Sequence, residues 1–215
     1  MNLVLLGPPG TGKGTISKFI ETRFKCTHIS TGDLLRNEVA RKTEIGLKVE
    51  PMMKDGKLVS DFIVLDVLKK RLNELNGHFI LDGFPRNLAQ GKILDSLLKE
   101  LNISLDAVIE IDSPSEVIVK RLSSRRQCVD CKRIYGLDVP SEKMGVCDDC
   151  GGKTILREDD NSEIVAKRIN LYNKITKPLS DFYAEKGLLV KVDGNRTLQE
   201  IFPEVEKTLK KFGGD

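Results

Sequence analysis

The chain has 215 residues, of which 40% are hydrophobic and 31% charged, and its formal net charge is +3. That is apolar enough for one core carrying a small insert, and too polar for a protein built of membrane spans. The charge is too near neutral to serve as an electrostatic footprint for DNA or RNA, so any functional Arg and Lys must act as a local cluster.

In chain order, Asn2–Leu6 reads as a strand buried on both faces, because its apolar residues run on without alternation. The run is far too short to cross a bilayer, and neither a basic stretch nor a small-residue cleavage site accompanies it. The cytoplasm is expected by elimination. Gly7-Pro8-Pro9-Gly10-Thr11-Gly12-Lys13-Gly14-Thr15 follows that strand and opens a helix over Lys13–Phe24. In that context glycines allow a tight turn whose N–H groups converge on phosphate oxygens, and Lys13 adds a mobile positive charge. Gly14 stands where most such loops place a hydroxyl on Mg²⁺, so the metal is expected to be held mainly by substrate phosphates and water.

A second strand is predicted at Thr27–Ser30 and a helix at Asp33–Arg41, with Ser30 or Thr31 as its cap. A helix over Ser60–Glu74 leads to a strand at His78–Asp82. The string Asp82-Gly83-Phe84-Pro85-Arg86, with Gln90 four residues beyond it, then sits at the carboxyl edge where open α/β sheets bind ligands. Leu88–Leu101 reads as a helix, Ala107–Asp112 as a strand, and Pro114–Arg125 as a helix.

From Gln127 to Leu156 the apolar period disappears. Cys128-x₂-Cys131-x₁₅-Cys147-x₂-Cys150 has the spacing of a four-thiolate metal site, closed and therefore structural. Disulfides are the competing reading, which a reducing compartment disfavours; the spacing leaves zinc or iron open. Cys26, on an apolar stretch, reads as a small core residue. His28 and His78 border apolar strands and read as structural. A long helix is predicted over Ile164–Lys186, kinked or broken by Pro178, followed by a strand at Leu188–Val192 and a helix at Thr197–Phe212. Strands alternating with helices predict an α/β fold, a five-stranded parallel sheet with helices on both faces.

These strings together resemble the adenylate kinase family, the type with a long zinc-binding lid. The matching segments are Gly7–Thr15, Ser30–Arg36, Asp82–Arg86 with Gln90, Arg121–Arg125, Arg157–Asp160 and Arg168. The resemblance implies a P-loop core over 1–29, 60–126 and 158–215, an AMP-binding segment over 30–59 and a lid over 127–157. It implies that Gly10, Thr11, Gly12, Lys13, Gly14, Thr15, Arg121, Arg125, Ile134, Tyr135 and the backbone near Arg196 hold ATP. It assigns Thr31, Arg36, Lys57, Leu58, Val59, Gly83, Phe84, Pro85, Arg86, Gln90, Arg157 and Arg168 to AMP, with Gln90 reading the adenine edge. Lys13, Arg86, Arg125, Arg157, Arg168 and Asp82 carry the chemistry, Asp82 by organising the water shell of Mg²⁺. Cys128, Cys131, Cys147 and Cys150 hold structural Zn²⁺.

The implied reaction is ATP + AMP = 2 ADP. It needs no catalytic base, because the attacking phosphate, with a second pKa of about 6, is already anionic near neutral pH. A monomer with no nucleic-acid or membrane partner is expected. Three rivals remain at this level: a kinase of UMP, CMP or GMP; a P-loop switch protein, which lacks its N-K-x-D signature here; and a zinc-ribbon nucleic-acid binder.

Overall fold

A computed structural model describes residues 1–55, 57, 59–75, 77–157 and 160–212. Leu58, assigned above to AMP, and Glu158 and Asp159 of the matched Arg157–Asp160 string lie outside the described residues.

Five strands form one parallel sheet. They are β1 (Asn2–Leu6), β2 (Thr27–Ser30), β3 (Phe79–Asp82), β4 (Ala107–Asp112) and β8 (Leu189–Asp193), in the spatial order β2-β3-β1-β4-β8. Successive side chains of a strand point to opposite faces, so each strand feeds two cores. Leu3 and Leu5 pack with Ile16 and Ile20 of α1 (Lys13–Phe24) and Ile201 and Val205 of α9 (Leu198–Leu209). Val4 and Leu6 face the opposite core, with Leu68 of α4 (Asp61–Asn73), Leu94 of α5 (Leu88–Glu100) and Tyr183 of α8 (Pro178–Glu185). The helix after β1 thus lies on one face and the helix after β3 on the other. The loops leaving these adjacent strands diverge, which opens a crevice at their carboxyl ends.

The segment between β2 and α4 holds two helices, α2 (Thr31–Ala40) and α3 (Glu44–Lys54). α2 begins two residues before the expected Asp33, because the Ser30 side chain caps it by accepting from the Asp33 N–H at 3.2 Å. Gly46 lets α3 lie directly on α2: a Cβ there would come within 2.1 Å of the Glu38 carbonyl oxygen.

After α6 (Ser115–Ser124) the chain leaves the sheet for three short antiparallel strands, β5 (Arg126–Cys128), β6 (Ile134–Tyr135) and β7 (Thr154–Ile155), in the order β6-β5-β7. Sequence reading found no strands here. Their apolar core is only Cys128, Tyr135 and Cys147.

The long helix expected over Ile164–Lys186 is divided. α7 (Ser162–Leu171) runs into a π turn over Tyr172–Thr176, and α8 starts with Pro178. The Lys177 N–H reaches back five residues to the Tyr172 carbonyl at 3.0 Å. Pro178, with no N–H to give, occupies the first position of α8, where none is required. At the other end of β3, His78 is not in the strand; its φ of 54° turns the chain just before Phe79. Among the described residues, no helix is long and apolar enough to cross a membrane.

Candidate active site

The crevice between β1 and β3 widens into a cavity of about 1130 Å³, bounded by the β1–α1 loop, the α2–α4 segment, the β3–α5 loop, α6, the three-stranded insert and α7. In the β1–α1 loop Gly7 has φ 143°, and a Cβ there would lie 2.2 Å from the Ile111 carbonyl oxygen of β4, so only glycine lets the loop leave the sheet here. Gly12 caps α1, and the Thr15 and Ile16 N–H groups both donate to its carbonyl. Lys13 folds back over the loop, its Nζ donating to the carbonyls of Gly7 and Pro8 at 2.7 Å each. Burial pulls the ammonium down to about pKa 8, opposed by the nearby carboxylate of Asp82 and reinforced by the charges of Arg168, Arg86 and Arg125. Four cations and one carboxylate therefore sense one another across the cavity.

Asp82 ends β3. Burial opposes its ionisation, but His28, Lys13 and Arg86 outweigh it and hold the carboxyl below its usual range. His28 Nε2 lies 3.6 Å from Asp82 Oδ2, long for a hydrogen bond, and its ring lines the cavity. This is a more polar place than the apolar border read from sequence. Burial works against protonation of His28, and the carboxylates of Asp82, Asp33 and Glu21 overcome it and raise its pKa.

On the β3–α5 side, Arg86 Nε donates to the Gly83 carbonyl at 2.7 Å, and Thr31 Oγ1 donates to the Asp82 carbonyl at 3.3 Å. Gln90, at 2% exposure, faces the same cavity. Its Oε1 accepts from the Arg86 N–H at 2.6 Å and its Nε2 donates to Asp61 Oδ1 at 2.5 Å. Arg36 is tied to Asp33 at 2.6 Å, while Lys57 reaches outward to Asp55 at 2.9 Å. Val59 is buried on the cavity wall, and Gly83, Phe84 and Pro85 line it beside Arg86.

On the opposite wall, Arg121 and Arg125 stand four residues apart, which puts them on one side of α6 and its end. Arg121 Nε pairs with Asp138 at 2.7 Å and its Nη1 donates to the Gly194 carbonyl at 2.7 Å. Arg125 makes a two-pronged contact with Asp160, Nε to Oδ2 at 2.6 Å and Nη2 to Oδ1 at 2.5 Å. Arg168 Nη1 lies 3.4 Å from the same Asp160, whose side chain is fully buried. Arg157, Ile134, Tyr135, Gly10, Gly14 and Thr15 also line the cavity.

Two expected residues do not reach the wall. Thr11 is buried under the loop, its Oγ1 donating to the Pro8 carbonyl at 3.1 Å. The Arg196 side chain turns away to pair with Glu204, and neither Arg196 nor Gly194, whose carbonyl Arg121 holds, lines the cavity. Sequence reading missed Asp160 as the anchor of two arginines and Asp61 as a partner of Gln90. The only signal for either was a carboxylate in a matched string or at a helix start.

In the insert, the four cysteine Sγ atoms lie within 4.8 Å of one another, with Cys128–Cys150 at 3.5 Å and Cys131–Cys147 at 3.4 Å. Tetrahedral thiolates around zinc sit about 3.8 Å apart, so this donor set fits a closed four-sulfur metal site. The Tyr135 hydroxyl lies 3.2 Å from Cys147 Sγ and, with the backbone N–H groups of Cys150 and Asp149, pulls that thiol down to about pKa 6, in the range where it ligates a metal as thiolate.

The adenylate kinase family profile matches residues 5–188. An adenylate kinase of Archaeoglobus fulgidus is 45% identical over 215 residues, covering 99% of both chains. One of Methanothrix thermoacetophila is 43% identical, covering 99% of this chain and all of its own. One of Caldicellulosiruptor bescii is 45% identical, covering 97% of this chain and 99% of its own. With its phosphate loop, the crevice at the carboxyl ends of β1 and β3 and its cysteine-bearing insert, this chain belongs to the adenylate kinase family.

Proposed function

We propose that the chain catalyses reversible, Mg²⁺-dependent transfer of the γ-phosphoryl group of ATP to AMP, forming two ADP. The observation that carries this reading is the convergence of Asp82, Arg86, Arg125 and Arg168 around Lys13 in one cavity at the carboxyl ends of β1 and β3. An oxygen of the AMP phosphate attacks the γ-phosphorus as the bond to the β–γ bridging oxygen breaks. No proton has to be removed, so the protein's work is positioning and charge stabilisation.

In this reading the β1–α1 loop cradles the ATP phosphates, and Lys13 releases the Gly7 and Pro8 carbonyls to reach them. Arg125 and Arg168, held together by Asp160, face the transferring group, with Arg121, Arg157 and Arg86 completing the cationic ring. Mg²⁺ bound to the nucleotide supplies further neutralisation of phosphate charge. Asp82, kept anionic beside Lys13, is placed to accept hydrogen bonds from its water shell. Gln90 reads the adenine of AMP, with Thr31, Arg36, Lys57 and Val59 along the same wall.

The division into a core (1–29, 60–126, 158–215), an AMP-binding segment (30–59) and a lid (127–157) follows from these roles. Zn²⁺ on Cys128, Cys131, Cys147 and Cys150 folds the lid, whose own apolar core is too small to do so. Closure of the lid excludes water that would otherwise hydrolyse ATP. The working unit is a cytoplasmic monomer. A coupled assay comparing AMP, UMP, CMP and GMP as acceptors tests the reading. AMP is expected to be strongly preferred, and Lys13→Met to abolish ADP formation without unfolding the chain. Purified protein that leaves ATP and AMP unchanged in the presence of Mg²⁺ refutes it.

A further inference from the structure

The Gln90 side chain is held in a way that fixes its polarity. Its amide is buried, and each end already has a partner before any nucleotide is considered. Oε1 accepts from the Arg86 backbone N–H at 2.6 Å, and Nε2 donates to Asp61 Oδ1 at 2.5 Å. Neither partner can exchange roles: a backbone N–H only donates and a carboxylate only accepts. A half-turn of the amide would set Nε2 against a donor and Oε1 against a carboxylate oxygen, replacing two hydrogen bonds by two repulsions.

The frame around the amide resists adjustment. The Arg86 carbonyl accepts from Thr176 Oγ1 at 2.6 Å, and Arg86 Nε donates to the Gly83 carbonyl at 2.7 Å. The Gln90 N–H itself is capped by Asn87 Oδ1 at 2.8 Å. Asp61 comes from a separate helix, in the first turn of α4, and stands behind Gln90 instead of lining the cavity.

An amide has two donor hydrogens and two acceptor lone pairs. Once the frame takes one of each, Gln90 has one lone pair on Oε1 and one hydrogen on Nε2 left for a base. Adenine matches that pattern, with an amino donor at C6 beside a ring-nitrogen acceptor. A 6-oxopurine has an acceptor at C6 and would need the amide reversed.

We propose that Asp61 is a specificity-determining positioning residue: through Gln90 it sets the hydrogen-bond polarity of the acceptor-base site and so selects 6-amino over 6-oxo purine nucleoside monophosphates. This deepens the reading of Gln90 given above and rests on it. Asp61 does not touch the nucleotide; it acts by making one orientation of the neighbouring amide far cheaper than the other. Arg86 is the second half of the latch, so removing Asp61 loosens the selection without abolishing it.

The test compares kcat/KM for AMP and for IMP, with ATP as donor, in wild type, Asp61→Asn, Asp61→Glu and Gln90→Ala. Asparagine keeps the shape of aspartate and can turn either a carbonyl or an amino group towards Gln90. In Asp61→Asn the AMP-over-IMP ratio is expected to fall on the order of tenfold, the size of one buried polar mismatch. The change is expected in the acceptor KM, with the ATP KM unmoved. Asp61→Glu, which retains an acceptor-only group, is expected to keep the ratio closer to wild type. A purely structural role for Asp61 would lower activity with both acceptors alike.

Gln90→Ala separates the two readings. If it leaves the ratio intact, the assignment of Gln90 to the base fails. If it collapses the ratio while Asp61→Asn leaves it within twofold, the Asp61 proposal fails alone. Equal loss of selectivity in the Glu and Asn variants also overturns the proposal, since shape and not polarity would then be the cause.

Discussion

Asp160→Asn is the most informative single change in the cavity. Its carboxylate is fully buried and takes both prongs of Arg125 at 2.5 and 2.6 Å, with Arg168 at 3.4 Å. Arg125 and Arg168 are only 17% and 23% exposed, so water cannot readily replace the lost charge. Removing one member of a buried ion pair costs about 3 kcal/mol, and the remaining asparagine can satisfy only one prong of the fork. For a chain of this size each kcal/mol moves the melting temperature by about 2–4 °C, which gives a fall of about 6–12 °C. The two guanidinium groups would also lose their shared alignment, and misplacement of phosphate-facing groups by about 1 Å lowers kcat by about 10- to 100-fold. Thermal unfolding followed by circular dichroism and steady-state ADP formation measure the two effects. A melting temperature within about 2 °C of wild type together with a wild-type kcat would refute the view that Asp160 organises these arginines.

Lys13 gives a prediction in pH. Its folded-state pKa is depressed from 10.5 to about 8, so between these values the unliganded fold binds fewer protons than the unfolded chain, and stability rises with pH across that window. Phosphates favour the charged amine, so ATP binding at pH 8.5 is expected to be accompanied by net proton uptake, which shrinks as the pH falls below the unliganded value of about 8. Titration calorimetry in two buffers of different ionisation heat reads this uptake, and a signal that persists in Lys13→Met would rule out Lys13 as its source. For the cysteine cluster, elemental analysis is expected to give about one metal per chain. Chelation or Cys147→Ser is expected to lower the melting temperature and, by unfolding the lid, kcat. A metal-free chain with unchanged melting would remove that site.

The sheet, the phosphate loop and the cysteine cluster were legible because each is encoded locally: continuous apolar runs, glycines between a strand and a helix, and thiols at fixed spacing. α3 was not, because Gly46 and Pro51 are poor helix formers and the segment gains its order from the Thr43 cap and from packing on α2. The lid strands are two or three residues long and have no apolar period to read. Asp160 closes a row of three acids, and nothing in the row marks it as the partner of Arg125 and Arg168. Asp61 looks like any acid in the first turn of a helix; its link to Gln90 spans 29 positions and exists only after α4 and α5 have packed.

The π turn over Tyr172–Thr176 carries a consequence for how this chain tolerates change. One extra residue in a helical turn rotates everything beyond it by about 100° relative to what precedes it. α7 can therefore aim Arg168 into the cavity while, within the turn, Tyr172 meets Glu110 of β4 and Thr176 meets the Arg86 carbonyl, and past it Ser180 also meets Glu110. Had the same stretch wound regularly, one of these two sets of neighbours would face solvent. The bulge works as a phase shifter, and a single-residue deletion within it would uncouple the arginine from the sheet more thoroughly than most substitutions of either partner.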